Sequence, residues 1–81
     1  TEIIWVIEFQ AQHDPLIYHR QLLEMALVGE RHPTCEVCGC LLFADAAMDP
    51  APALAWIDMA DSAAPLRRAY LTEILQRLAR E

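Results

Sequence analysis

The start of the chain alternates between two sets of side chains, a pattern that predicts one β-strand. The segment EIIWVIEF is rich in β-branched and aromatic residues, and large apolar residues fall on every second position. A period of two in residues of this kind is typical of a strand. The apolar residues that share one side are Ile3, Trp5, Ile7 and Phe9.

The rest of the chain carries four signals for the start of a helix. Each is a short polar residue able to cap a helix, and two of the four stand directly before proline. They predict helices over about residues 15–28, 35–48, 50–60 and 63–80, with Gly29 ending the first. The last helix would place Leu66, Tyr70, Ile74 and Leu78 on one core-facing stripe. The capping residues are Asp14, Thr34, Asp49 and Ser62.

These elements predict a mostly α fold, a small four-helix domain with one N-terminal strand. Residues 1–81 would form a single domain, with 1–9 as a strand or docking segment and 10–81 as the helical body. A competing interpretation makes EVCGCLLFA a second strand, giving a β-α-β unit in which Gly39 permits a close backbone approach. That α+β alternative has only a short sheet. We prefer the helical interpretation because two parallel strands alone would be unusually small.

The length and composition of the chain indicate that its fold is stabilised by a partner or by a bound metal ion. At 81 residues the chain is near the lower limit for an unaided core, yet 56% of its residues are hydrophobic. The predicted strand has no obvious second strand to pair with in this chain. Its backbone N–H and C=O groups therefore need hydrogen-bond partners from another copy or another protein. We therefore expect a protein partner or a homodimer to bind through Ile3, Trp5, Ile7 and Phe9.

The charge of the chain argues against nucleic-acid binding, and the length of its apolar runs argues against a membrane-spanning segment. Six arginines stand against twelve acidic residues, lysine is absent, and the net charge is −6. Direct binding to nucleic acid requires clustered cations, so it is not expected. No apolar run reaches the roughly 20 residues of a membrane span, and three cysteines favour a reducing compartment. We expect a cytoplasmic protein without a membrane segment.

The segment ERHPTCEVCGC holds all three cysteines and one histidine. In a helix that begins at Cys35, residues three apart lie about 60° from each other, so Cys35 and Cys38 would share a face. His32 could fold back onto the same ion. Cys40 would face another direction, so either it is a packed apolar residue or the helix begins later. The predicted zinc site comprises His32, Cys35, Cys38 and Cys40.

If Cys40 is not a ligand, the fourth group must come from elsewhere. His19 lies near the predicted apolar face of the first helix, and His13 stands just before its cap. Of the two, His19 is the better candidate. The alternatives to a structural zinc ion are unligated thiols and a redox or catalytic use of the cysteines.

Two families share parts of this segment. HPTCEVC resembles the motif of zinc-binding anti-sigma factors, although only two residues instead of three separate His32 from Cys35. The resemblance implies a small helical protein that grips a sigma factor and releases it on oxidation, with Cys35 and Cys38 as ligands. CEVCGC is similar to the metal loop of nitrile hydratase, in which a serine stands at the position of Gly39.

Other catalytic patterns are missing from the sequence. The chain has two glycines and therefore no glycine-rich phosphate loop, and it has no nucleophile elbow. We assign no catalytic residue and expect a small acidic protein–protein interaction or regulatory module, which a structural zinc ion would stabilise. The alternatives are an anti-sigma-like regulator and a small metal- or thiol-dependent enzyme.

Overall fold

A computed structural model describes residues 2–50 and 66–80. Within them the chain alternates strands and helices. The predicted helix over 50–60 lies outside the described residues, apart from its first position. The elements are β1 (Ile3–Gln10), α1 (Ile17–Arg31), β2 (Glu36–Phe43), a one-turn 3-10 helix (Ala46–Met48), β3 (Leu66–Tyr70) and α2 (Leu71–Ala79).

The three strands form one parallel sheet in the order β1-β2-β3. The register pairs Gln10 with Phe43, and Phe43 in turn with Tyr70. The three strands therefore end side by side, and we call this end of the sheet the carboxyl edge. Residues that connect β1 to α1 also lie there, because α1 begins soon after β1 ends.

Helix α1 covers one face of the sheet, which we call the covered face. Its inward side chains pack on β2 and β3, and Val6 of β1 adds to this core. Leu41 and Phe43 are completely buried, so β2 supplies the centre of the core. The buried side chains of α1 are Ile17, Tyr18, Gln21 and Met25.

The prediction of a mostly α four-helix domain is wrong, because residues 36–43 form a strand. β2 is the central strand, and it hydrogen-bonds to β1 on one side and to β3 on the other. Pairing on both sides outweighs the weak helical signal that Thr34 gives at the start of the segment. The fold is a small α+β structure, and the β-α-β interpretation matches the order of its first three elements.

Gly39 allows α1 to lie close to β2. A Cβ atom at this position would fall far inside contact distance of the Met25 sulfur. It would also lie 3.1 Å from Nε2 of Gln21 and 3.1 Å from Cδ1 of Leu66. Because side chains from α1 and β3 converge on this point, any side chain here would have to displace them.

The prediction of one helix over 63–80 is wrong at its start, because Leu66–Tyr70 form β3. Backbone pairing with β2 keeps this segment extended up to Tyr70, whose φ and ψ are −122° and 122°. Helix α2 begins at the next residue. The predicted core-facing stripe is thus divided, with Leu66 buried in the sheet and Ile74 and Leu78 exposed on α2.

Helix α1 agrees with its prediction to within three residues at either end, but its boundaries have other causes. Asp14 forms a turn before the helix, in which its Oδ1 accepts the N–H of Leu16 at 2.9 Å. Gly29 was predicted to end the helix and instead lies inside it, since α1 continues to Arg31. Glycine within a helix costs about 1 kcal/mol, which tertiary packing offsets.

Candidate functional site: the open face and the carboxyl edge

Over β1 and β2, the face of the sheet opposite α1 is apolar; its β1 side chains are exposed, and those of β2 are half-buried. Successive side chains of a strand point to opposite faces, so the odd-numbered residues of β1 point away from α1. Their exposed fractions are 53% for Ile3, 52% for Trp5, 67% for Ile7 and 53% for Phe9. The register places Cys38 beside Trp5, Cys40 beside Ile7 and Leu42 beside Phe9. We call this set of seven side chains the open face.

An exposed face is unusual for a parallel sheet. Parallel sheets occur almost always with both faces covered, and their strands are apolar on both sides for that reason. β1 has this double-sided apolar character, yet α1 covers only one side of it. Contiguous exposed apolar side chains are characteristic of interaction surfaces. The open face is therefore the first candidate site.

A second feature is a group of polar side chains around Asp49 near the carboxyl edge, which we call the tyrosine latch. The carboxylate of Asp49 accepts the hydroxyl of Tyr18 at 2.9 Å and that of Tyr70 at 2.6 Å. Nη1 of Arg68 lies 3.4 Å from Oδ2 of the same carboxylate. The Asp49 side chain is only 6% exposed, so these charge-assisted bonds are sheltered from water.

The latch joins three parts of the fold. Tyr18 comes from α1, Asp49 from the segment that follows β2, and Tyr70 from the end of β3. Burial raises the pKa of Tyr18 to about 12 and also raises the pKa of Tyr70. Both tyrosines therefore stay neutral donors at ordinary pH, and we assign the latch a structural role.

A third feature, also near the carboxyl edge, surrounds Glu8. Arg20 lies between two carboxylates: its Nη2 is 3.3 Å from Oε1 of Glu8, and its Nη1 bonds Oδ2 of Asp14. The backbone N–H of Leu16, followed by the charge of Arg20, holds the pKa of Asp14 below its usual value. Arg20 thus fixes Glu8 against the start of α1.

Two enclosed oxygen atoms beside this group have no hydrogen-bond partner among the described residues. They are Oε2 of Glu8 and Oε1 of Gln21. Gln21 is fully buried, and its Nε2 donates to the carbonyl of Val6 at 2.8 Å. A buried acceptor without a donor is costly, so these atoms could accept from a bound ligand.

The predicted zinc ligands lie on different elements. His32 is the exposed residue that ends α1, Cys35 lies in the turn before β2, and Cys38 and Cys40 belong to β2. Because the segment is a strand, Cys38 shares a face with Cys40 and not, as predicted, with Cys35. Over residues 2–50 and 66–80, no three His, Cys, Asp or Glu side chains are grouped to hold a metal ion.

The histidines considered as a fourth ligand are exposed: His13 lies before α1, and His19 on its outer side. The structure does not bring either of them to the cysteines in a metal-binding group. The three thiols are free, and burial raises the pKa of Cys40. Zinc binding stays a prediction, which elemental analysis of protein purified without added metal would test.

The tyrosine latch could not be predicted from the sequence, since its hydrogen-bonded pairs are separated by 19 to 50 positions. The sequence indicated Asp49 only as a helix cap. For Glu8 a signal existed: it is the one charged residue in an otherwise apolar run. A charged residue near the carboxyl end of a parallel strand is a recognised position for ligand contacts.

In the described part of the chain, the fold and these surfaces define a small α+β domain with a parallel sheet that is covered on one face only. The chain belongs to the family described as "Protein of unknown function (DUF2887)", whose model matches residues 1–80. No curated protein and no solved structure matches the chain. None of the helices described has the length and apolar character required to cross a membrane.

Proposed function

We propose that this protein is a protein–protein interaction module that binds its partner through the open face. The observation that carries the proposal is the exposure of Ile3, Trp5, Ile7 and Phe9, each more than half accessible, on one face of a parallel sheet. Helices normally cover such faces. The expected occupant is therefore an amphipathic helix that contributes its apolar side.

The charge of the chain indicates what else the occupant carries. Residues 1–50, which hold β1, α1 and β2, contain eight acidic residues and two arginines. The net charge of this part is therefore −6, and it is −4 when the two arginines of β3 are included, one of which, Arg67, lies beside Cys40 on the open face. The acidic balance favours a helix whose polar rim is basic. Electrostatic attraction of this kind speeds association and weakens as salt is added.

The energy available is adequate for a specific but moderate interaction. Complete burial of a large apolar side chain yields about 1.5–3 kcal/mol, and about half of this is still unused at each of the four β1 positions. Association costs several kcal/mol of lost freedom, so contacts along β2 must contribute as well. Leu42 and the thiols of Cys38 and Cys40 provide that further surface.

The experiment compares proteins retained from host extract by the immobilised chain and by the double variant Trp5→Ser/Ile7→Thr. The control is Leu23→Ser/Leu27→Ser, which removes exposed apolar side chains from the outer side of α1. We expect a specific partner to be lost with the first variant and kept with the second. Retention of the same proteins by all three would contradict the proposal.

A second candidate function rests on the enclosed oxygens of Glu8 and Gln21. In open α/β sheets, ligands bind outside the carboxyl ends of the strands, and Glu8 lies two residues before the end of β1. Carboxylate and amide oxygens are the ligands that hard divalent cations prefer. This part of the chain would then bind such a cation, with Glu8 supplying the negative charge.

A thermal-shift titration with Mg²⁺ and with Mn²⁺ tests the second candidate. Binding should raise the melting temperature of the wild-type chain and of the control Glu24→Gln, whose side chain is exposed on α1. The variant Glu8→Gln should show no such rise. A rise that Glu8→Gln retains, or none in the wild type, would remove this candidate.

The cytoplasmic location remains part of the proposal. All three thiols are free, and two of them line the open face. In a reducing compartment they stay available as small apolar contacts for the partner. Mass spectrometry of protein isolated under alkylating conditions should then find all three cysteines reduced.

A further inference from the structure

The two outer strands of the described sheet differ in how readily their edges can pair with a further strand. Both β1 and β3 hydrogen-bond to β2 on one side only. β3 is five residues long and carries Arg67 and Arg68, and short, charged edge strands discourage further pairing. β1 is eight residues long, contains no proline and has Glu8 as its one charged residue. The length and composition of β1 therefore favour pairing with another strand.

The backbone groups on the outer edge of β1 belong to its odd-numbered residues. Along a strand, successive residues direct their N–H and C=O groups alternately to one side and to the other. The carbonyls of Glu2 and Gln10 accept the N–H groups of Glu36 at 2.9 Å and Ala44 at 3.0 Å, so the even-numbered residues face β2. In the described part of the chain, no strand pairs with the opposite edge. The residues whose backbone groups point outward there are Ile3, Trp5, Ile7 and Phe9.

The core is incomplete along this edge of the sheet. β1 contains no buried residue, although Ile4 and Val6 point to the covered face. On the central strand, Leu41 and Phe43 point to the same face and are completely buried. A further strand beside β1 would shield the half-buried side chains of Ile4 and Val6 from water.

The sequence of β1 is self-complementary in one antiparallel register. A twofold axis at Val6 places Trp5 opposite Ile7 of a second copy, and it places Ile3 opposite Phe9. Each pair joins an aromatic side chain to a β-branched one, which is a favourable cross-strand combination. All four residues have outward-pointing backbone groups, so each opposed pair can exchange two N–H···O=C bonds.

The neighbouring registers with the same backbone pairing are less favourable. An axis at Trp5 would place Glu2 directly opposite Glu8, and like charges in that position are destabilising. An axis at Ile7 would leave Ile3 beyond the end of the other copy's strand. The register described above avoids both faults and pairs the whole of β1.

We propose that two copies of this chain pair antiparallel through the outer edges of their β1 strands, with the twofold axis at Val6. The two sheets join into one, and both copies of α1 lie on the same face of it. The inference goes beyond the proposed function, because it uses the edge of β1 and leaves the open face uncovered. The open faces of the two copies would form one continuous surface.

Sedimentation equilibrium of the full chain over a range of concentrations tests the edge contact. Ile7→Pro removes an outward-pointing N–H and leaves the bonds between β1 and β2 in place, because proline is tolerated where the N–H faces away from the sheet. It should raise the dissociation constant at least about tenfold, which corresponds to about 1.4 kcal/mol. The matched control Ile7→Thr changes the same side chain but keeps the N–H, so its effect should be much smaller. Circular dichroism checks that both variants are folded.

Disulfide formation tests the register. In the proposed dimer the two copies of Val6 form a non-hydrogen-bonded pair with Cα atoms about 4.5 Å apart, which is within disulfide range. Val6→Cys should therefore link the two copies under mild oxidation. The control Ile4→Cys points to the same face, but its two copies would be about 14 Å apart along the strands. Peptide mapping, with the wild-type chain as background for the native thiols, identifies the linked residues.

Three results would overturn the inference. A wild-type chain that stays monomeric at every concentration excludes the dimer, whereas the open face could still bind another protein. Equal weakening by Ile7→Pro and Ile7→Thr would assign association to side chains and not to the backbone edge. Absence of the link in Val6→Cys, or an equal link in Ile4→Cys, would exclude the proposed register.

Discussion

The two faces of β1 are both apolar, but they have different surroundings. Val6 packs against the core on the covered face, and Ile7, the next residue, is 67% exposed on the open face. Hydrophobicity does not distinguish them, because both residues are β-branched and aliphatic. The difference arises from α1, which lies on one side only. An alternating pattern therefore identifies a strand without identifying which of its faces is buried.

The largest loss of stability is expected when a phenylalanine of the covered face is replaced by alanine, and a phenylalanine of the open face is the matched comparison. Phe43 is fully buried on the covered face, whereas Phe9 is 53% exposed on the open face. Phe43→Ala should lower the free energy of unfolding by about 3–5 kcal/mol, because it leaves a cavity among well-packed neighbours. Phe9→Ala should cost less than about 1 kcal/mol in a dilute, monomeric sample.

Urea denaturation at low protein concentration measures both phenylalanine variants. Equal losses of stability would contradict the difference between the two faces, since they would mean that the open face is buried within one chain. A loss of stability for Phe9→Ala that grows with protein concentration would show that the open face is buried by a second copy and not within one chain.

The tyrosine latch, beside the covered face, should give the next largest effect. Asp49→Ala leaves the hydroxyls of Tyr18 and Tyr70 without their shared acceptor, and hydrogen bonds to charged groups contribute about 1.5–3 kcal/mol. We expect a loss of that size in thermal or urea unfolding. Asp45→Ala, which removes only a bond to the N–H of Ala47, is the control and should cost less. A loss no larger than that of the control would show that the latch does not hold the fold together.

Gly39 tests how closely α1 approaches the covered face. Gly39→Ala should cost about 1–3 kcal/mol, because its new methyl group overlaps Met25. In the double variant Gly39→Ala/Met25→Ala the overlap is gone, so the loss should be smaller than the sum of the two single losses. Strict additivity in a double-mutant cycle would indicate that the helix and the sheet are farther apart at this point.

The smallest effect is a change of stability at alkaline pH. Burial raises the pKa of Tyr18 to about 12, while the same side chain in an unfolded chain titrates near 10. The folded state then holds a proton that the unfolded state has lost, so stability declines as pH rises from about 10 to 12. Tyr18→Phe should flatten this part of the curve of unfolding free energy against pH. The same decline with phenylalanine would assign it to other groups.

The sequence predicted β1 and α1 because their signals are local. Alternation marks β1, and Asp14 before Pro15 marks the turn that leads into α1. The alternation also identified the four exposed residues of the open face, although we attributed their exposure to a strand without a partner. β1 does have a partner, β2, and these residues are exposed because no described element covers their side of the sheet.

The other strands could not be predicted because their identity depends on long-range pairing. β2 is central and has small or apolar residues on both faces, so its sequence fits a buried strand and a buried helix equally well. β3 is five residues long with two arginines, and it continues directly into a helical pattern. Only pairing between β2 and β3 decides its conformation, and that pairing joins residues 27 positions apart.

The close approach at Gly39 has a consequence for how sequences in this family can diverge. A larger residue at position 39 needs space that the side chains of Gln21, Met25 and Leu66 now border, so these must move or become smaller to make room. Substitutions at position 39 should therefore be accompanied during evolution by changes at positions 21, 25 or 66. Such covariation would make the contact between α1, β2 and β3 detectable from aligned sequences of the family.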